Sequence, residues 1–77
     1  MSPRLPVLKP REVLRALQKA GFEIQHQSGS HVQLKHPGKP GLRVTVPRHD
    51  RFDLPLPVLR SILRQAELSV EELLEYL

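Results

Sequence analysis

The sequence predicts an α+β domain: a helix, a three-stranded antiparallel sheet and two further helices, with the helices on one face of the sheet. Three observations predict it. Apolar residues recur at helical spacing over residues 10–20 and again from residue 57 to 66. Between them the period drops to two in three short runs joined by turn residues, the mark of a meander with one dry and one wet face. The 77 residues leave room for one core and no second, so residues 1–77 read as a single domain.

Residues 1–8, with Pro3 and Pro6, read as an extended lead-in. Pro10 suits a first helical position, where its missing N–H would be unpaired anyway. Val13, Leu14, Leu17 and Ala20 then form one stripe, with Arg11, Glu12, Arg15, Gln18 and Lys19 opposite, and Gly21 ends the helix. In the first strand Phe22, Ile24 and His26 alternate with Glu23, Gln25 and Gln27. After the Ser28-Gly29 turn, Val32, Leu34 and His36 alternate with His31, Gln33 and Lys35. After a loop from Pro37 to Gly41, Leu42, Val44 and Val46 alternate with Arg43 and Thr45. The wet face is therefore expected to carry Glu23, Gln25, Gln27, His31, Gln33, Lys35, Arg43 and Thr45. A second helix starts near Pro57, with Val58, Leu59, Ile62, Leu63 and Ala66 as its stripe. Ser69 and Glu72 have capping-box spacing, Leu68 and Leu73 the matching hydrophobic staple, and a short helix over about residues 70–76 closes the chain.

Charge is unevenly placed. All 12 Lys and Arg lie within residues 1–66, against only Glu12, Glu23, Asp50 and Asp53. The last eleven residues hold Glu67, Glu71, Glu72 and Glu75 and no base. A basic body with an acidic end suits a polyanionic partner held away from the C-terminus. Aromatics are few (Phe22, Phe52, Tyr76), which argues against a platform that stacks several bases. The absence of Cys removes disulfide staples, thiolate zinc sites and Cys nucleophiles. No apolar run approaches the length of a membrane span and the first residues lack a signal-peptide core, so a soluble, cytoplasmic protein is expected.

Four histidines raise the question of a metal. His26, His31 and His36 are spaced by five, and the alternation assigns His26 and His36 to the dry face and His31 to the wet one. That spacing does not supply the three or four convergent ligands zinc needs, and no metal or other cofactor is expected. His36, beside Pro37 at a strand end, reads as a turn-flanking residue.

His31 follows Ser28-Gly29-Ser30, a small-residue turn that lets a bulky polyanion come close, and it points to the face bearing Lys35 and Arg43. Imidazole is the side chain that takes or gives a proton near neutral pH. Cationic neighbours could hold a phosphate and stabilise its developing charge. One such group is the minimum for cleaving RNA without a metal: the 2′-OH attacks the adjacent phosphorus while His31 removes its proton. An exposed strand histidine with no task fits the same pattern. His49, in Pro47-Arg48-His49-Asp50, reads as a partner acid, a phosphate contact or a loop residue bonded to Asp50. Ser30 and Ser61 lack the glycine context of a nucleophile elbow, and Gly29, Gly38 and Gly41 match no phosphate-binding fingerprint.

Taken in order, several segments form a pattern: Leu17 to Phe22; Gln27-Ser28-Gly29-Ser30-His31 followed by His36-Pro37; Val44-Thr45-Val46-Pro47 with His49; Leu59 to Ala66; and Leu68-Ser69 with Glu71-Glu72-Leu73. Across residues 9–77 the chain resembles the HicA (YcfA-like) family, the mRNA interferase toxins of type II toxin–antitoxin pairs. The resemblance implies a double-stranded-RNA-binding-domain-like fold, α-β-β-β-α, in line with the order read above. It implies RNA cleavage independent of metal and ribosome, with the family's catalytic histidine at His31, and a HicB-type antitoxin that shields it. From the wet face and the following loop, RNA contacts are expected at Ser30, Gln33, Lys35, Arg43, Arg48 and His49. The chain departs from the family at Pro57-Val58, where a Gly-Thr pair is common, and at Glu67, where glycine is. Lys9 also stands where a Ser or Thr cap would precede Pro10. Two rival readings are a non-catalytic RNA-binding module of the same fold and an interaction domain whose wet face docks a protein.

Overall fold

The structure, a computed structural model, describes residues 4–77. It runs α1 (Pro10–Lys19), β1 (Glu23–Ser28), β2 (His31–His36), β3 (Lys39–Pro47), α2 (Leu56–Ala66) and α3 (Val70–Tyr76). The strands form one antiparallel sheet in the order β1-β2-β3. This is the expected α+β arrangement of a three-stranded sheet flanked by helices.

The core lies between the sheet's dry face and the helices. Val32 and Leu34 of β2 and Val44 and Val46 of β3 are fully buried, each flanked by more exposed neighbours, so the alternation read in these two runs is the alternation of the fold. They meet Val13, Leu14 and Leu17 of α1, Leu59, Ile62 and Leu63 of α2 and Leu73 of α3. Among the described residues no polar or charged residue is buried, so the core rests on apolar contact alone. Of the lead-in, residues 1–3 lie outside the described residues, while Leu8 is buried and its carbonyl accepts a hydrogen bond from the Leu54 N–H at 2.8 Å.

The helix ends are held by local chemistry. At α1 the missing Ser or Thr cap is compensated from the other side: Glu12 accepts from the Lys9 backbone N–H at 2.9 Å, and the Lys9 ammonium reaches Asp53 at 3.3 Å. At α3 the capping box is present in both directions, with Ser69 Oγ accepting from the Glu72 N–H at 3.1 Å and Glu72 from the Ser69 N–H at 2.9 Å. These bonds hold the Glu72 carboxyl below its ordinary pKa, chiefly through the Ser69 backbone N–H. Helix α2 ends at Glu67 with φ 55°, the single non-glycine residue with positive φ among those described. It does the work a glycine does at many helix ends, against a steric cost.

Two sequence expectations change. The loop after β2 is shorter than Pro37 to Gly41: β3 begins at Lys39, and His36 pairs with Lys39 across the two-residue turn Pro37-Gly38. The larger change is in β1. Its pairing with β2 slips between Ile24 and His26, so that Ile24 faces Leu34 but His26 faces Gln33. Gln25 is the extra residue of a β-bulge. Directly opposed residues of an antiparallel pair share a face, so the bulge moves His26 from the predicted dry face to the wet one.

Candidate active site

The wet face is organised in three cross-strand rows. At the hairpin end lie Ser28, His31 and Pro47; next come His26, Gln33 and Thr45; at the far end lie Glu23, Lys35 and Arg43. His26, His31, Gln33, Lys35 and Arg43 are all exposed.

His31 opens β2 just after the tight turn in which Gly29 takes φ 55°. That left-handed conformation suits glycine, and nothing stands within 4 Å of where its side chain would be, so the approach to His31 is clear on that side. The Ser30 carbonyl accepts a hydrogen bond from the Arg48 N–H, which ties the β1–β2 turn to the exit of β3. Ser30, His31, Pro47 and Arg48 are thus brought together by backbone pairing. Among the described residues no hydrogen bond engages the His31 ring, leaving both its nitrogens to a ligand.

The other expected contacts distribute differently. Gln33 stands one row from His31 on the same face. Lys35 and Arg43 share the face but sit at its far end, about 13 Å along the strand from His31 at the usual strand rise. That distance keeps them from a phosphate seated beside His31. They do face each other directly, and Glu23 stands across from Lys35 on its other side, so a carboxylate already flanks this like-charge pair. The Arg48 guanidinium is paired with Asp50 at 3.1–3.2 Å, so its charge is partly committed. His49 lies beyond the end of β3, lining a cleft of about 440 Å³ with Pro47, the exposed Phe52 and Val58. It stands outside the three rows.

His36 is the contrasting histidine. Its Nδ1 accepts from the Gly38 N–H at 3.0 Å, which makes Nε2 the N–H that donates to the Ala20 carbonyl at 3.2 Å. The ring meets Phe22 edge-on, centroids 5.0 Å apart, and covers Gly21, where an added Cβ would come within 2.6 Å of Nε2. The turn-flanking role read for it holds, and it extends to clamping the end of α1.

His26 and Gln27 are the residues the sequence reading placed on the wrong faces: Gln27, expected on the wet face, stands opposite the buried Val32. Nothing in the run Ile24-Gln25-His26-Gln27 signals the bulge, because an extra residue leaves the polar and apolar letters alternating. Among the described residues no three His, Asp or Glu side chains converge as a metal site requires, and no helix is long and apolar enough to cross a membrane.

Compared with known families, residues 10–68 match the one described as the HicA toxin of bacterial toxin-antitoxin. Among curated proteins, none matches the sequence.

Proposed function

This chain belongs to the HicA toxin family of bacterial toxin–antitoxin systems, and on that premise we propose that it is an endoribonuclease that cuts mRNA with His31 as general base. The observation that carries the reading is an exposed histidine whose ring no hydrogen bond engages among the described residues, on an open sheet face beside a tight turn. His31 takes the proton of a 2′-OH as that oxygen attacks the adjacent phosphorus. Ser30, Gln33 and the backbone around Arg48 border the phosphate, and Lys35 and Arg43 hold a neighbouring stretch of the RNA strand. His49 contacts the strand where it leaves the face past Pro47. The reaction needs no metal, and it takes place in the cytoplasm where mRNA is found.

Membership of the family implies an antitoxin partner. A HicB-type antitoxin laid over the wet face would cover His31 and silence the enzyme by denying RNA access. The test is incubation of purified protein with RNA in EDTA. Cleavage is expected from the parent protein and is expected to fall by roughly 10²–10⁴ in His31→Ala, the range for one acid–base group. Cleavage at the parental rate in that variant overturns the assignment. Binding without any cut, weakened by salt and by loss of Lys35 or Arg43, would instead mark a non-catalytic RNA-binding module.

A further inference from the structure

The bulge at Gln25 brings a second imidazole to the same face. His26 faces Gln33 and Ser28 faces His31, so His26 and His31 occupy adjacent rows of neighbouring strands. Diagonal neighbours of this kind have Cα atoms about 7–8 Å apart, within reach of each other's long side chains. Both are exposed, and among the described residues no hydrogen bond ties up either ring. Gln33 lies beside both, directly across from His26 and two residues along β2 from His31.

Strand cleavage by a 2′-OH needs two proton transfers. One removes the proton of the attacking oxygen. The other supplies a proton to the departing 5′-oxygen, which otherwise leaves as a high-energy alkoxide. We propose that His26 is the general acid of the reaction whose base is His31. The proposal rests on the ribonuclease reading above. The 2′-oxygen bonds to phosphorus and its proton passes to the His31 ring. The bond from phosphorus to the 5′-oxygen breaks, and the His26 imidazolium gives that oxygen its proton. The products are a 2′,3′-cyclic phosphate and a free 5′-OH, and exchange with water returns both rings to their starting states. Gln33 is placed to donate its amide N–H to a non-bridging phosphate oxygen between the two rings. His49, the other exposed histidine, sits in the loop beside the Phe52 cleft rather than in these rows.

The test compares two substrates of one sequence, an ordinary RNA oligonucleotide and one whose scissile 5′-oxygen is replaced by sulfur. A thiolate leaves without a proton, so the second substrate needs a base and no acid. His26→Ala is expected to cut the ordinary RNA slower by roughly 10²-fold or more, and the sulfur-linked one within a few-fold of the parent. His31→Ala is expected to fail on both. Because the His26 side chain is exposed and packs into no core, the variant should keep the parental melting curve; His26→Gln, which keeps a hydrogen-bonding side chain, should repeat its pattern. Equal losses on both substrates, or parental rates on the ordinary RNA, overturn the assignment of His26 while leaving His31 in place. A parent protein that cuts neither substrate overturns the ribonuclease reading and this proposal with it.

Discussion

At one end of β2 the ring of His36 is turned back under the sheet's edge, bonded at both nitrogens and pressed against Phe22 and Gly21. At the other end His31 stands on the open face, with neither nitrogen engaged by any of the described residues. The two lie five residues apart in one strand, and the odd spacing already sends their side chains to opposite faces. What separates their roles is what surrounds each ring. A histidine whose donor and acceptor are both satisfied by backbone groups is part of the scaffold. One whose nitrogens meet only solvent has its chemistry available.

The widest gap between the two ends should appear on exchanging the defects. His31→Ala is expected to lose roughly 10²–10⁴ in RNA cleavage with an unchanged melting temperature. His36→Ala should do the reverse. It forfeits two hydrogen bonds and an aromatic contact, about 2 kcal/mol in all, lowering Tm by roughly 10 °C for a domain this size, while the folded fraction cuts RNA normally. Loss of activity in folded His36→Ala would dissolve the contrast.

Gly21→Ala sharpens it. The residue has φ 104°, and its new Cβ would meet the His36 ring at 2.6 Å, so a loss of about 2 kcal/mol is expected from backbone strain and collision together. In Gly21→Ala combined with His36→Ala the collision is absent, and denaturant titration should show a loss smaller than the sum of the two singles. A simple sum would mean that the ring and the glycine do not meet.

Away from both histidines, Glu67→Gly should stabilise the fold by about 0.5–1 kcal/mol, relieving the left-handed φ at the end of α2 less the extra flexibility glycine gives the unfolded chain. The mildest effect is at the α3 cap. The Glu72 carboxyl is held below its ordinary pKa by Ser69. Its contribution is therefore complete above the pKa it has in the unfolded chain and is lost as pH falls through the depressed folded value. Urea midpoints of the parent and Glu72→Gln should differ at neutral pH and converge in acid.

Much of this architecture was legible in the letters. Helix α1, the Val32-Leu34 and Val44-Val46 alternations, the α2 stripe and the Ser69–Glu72 box are consequences of spacing, and spacing is what a sequence displays. His31 was legible for the same reason: it is an odd-numbered partner to two buried aliphatics. What stayed hidden depends on pairing between strands. The Gln25 bulge needs β2 for its definition, so the face of His26 could not be read. The separation of Lys35 and Arg43 from His31 follows from rows rather than runs. The engagement of Arg48 by Asp50 depends on how the loop after β3 turns.

The spare residue in β1 also bears on how this chain tolerates change in length. Removing Gln25 would let the ladder run straight through with Ile24 still against Leu34 and His26 still against Gln33, since the slip occurs between those pairs. A comparable loss from the middle of β2 would turn half the sheet inside out. The edge strand thus works as an expansion joint: loss of that one residue leaves the pairs on both sides of it in register, and the wet face stays put.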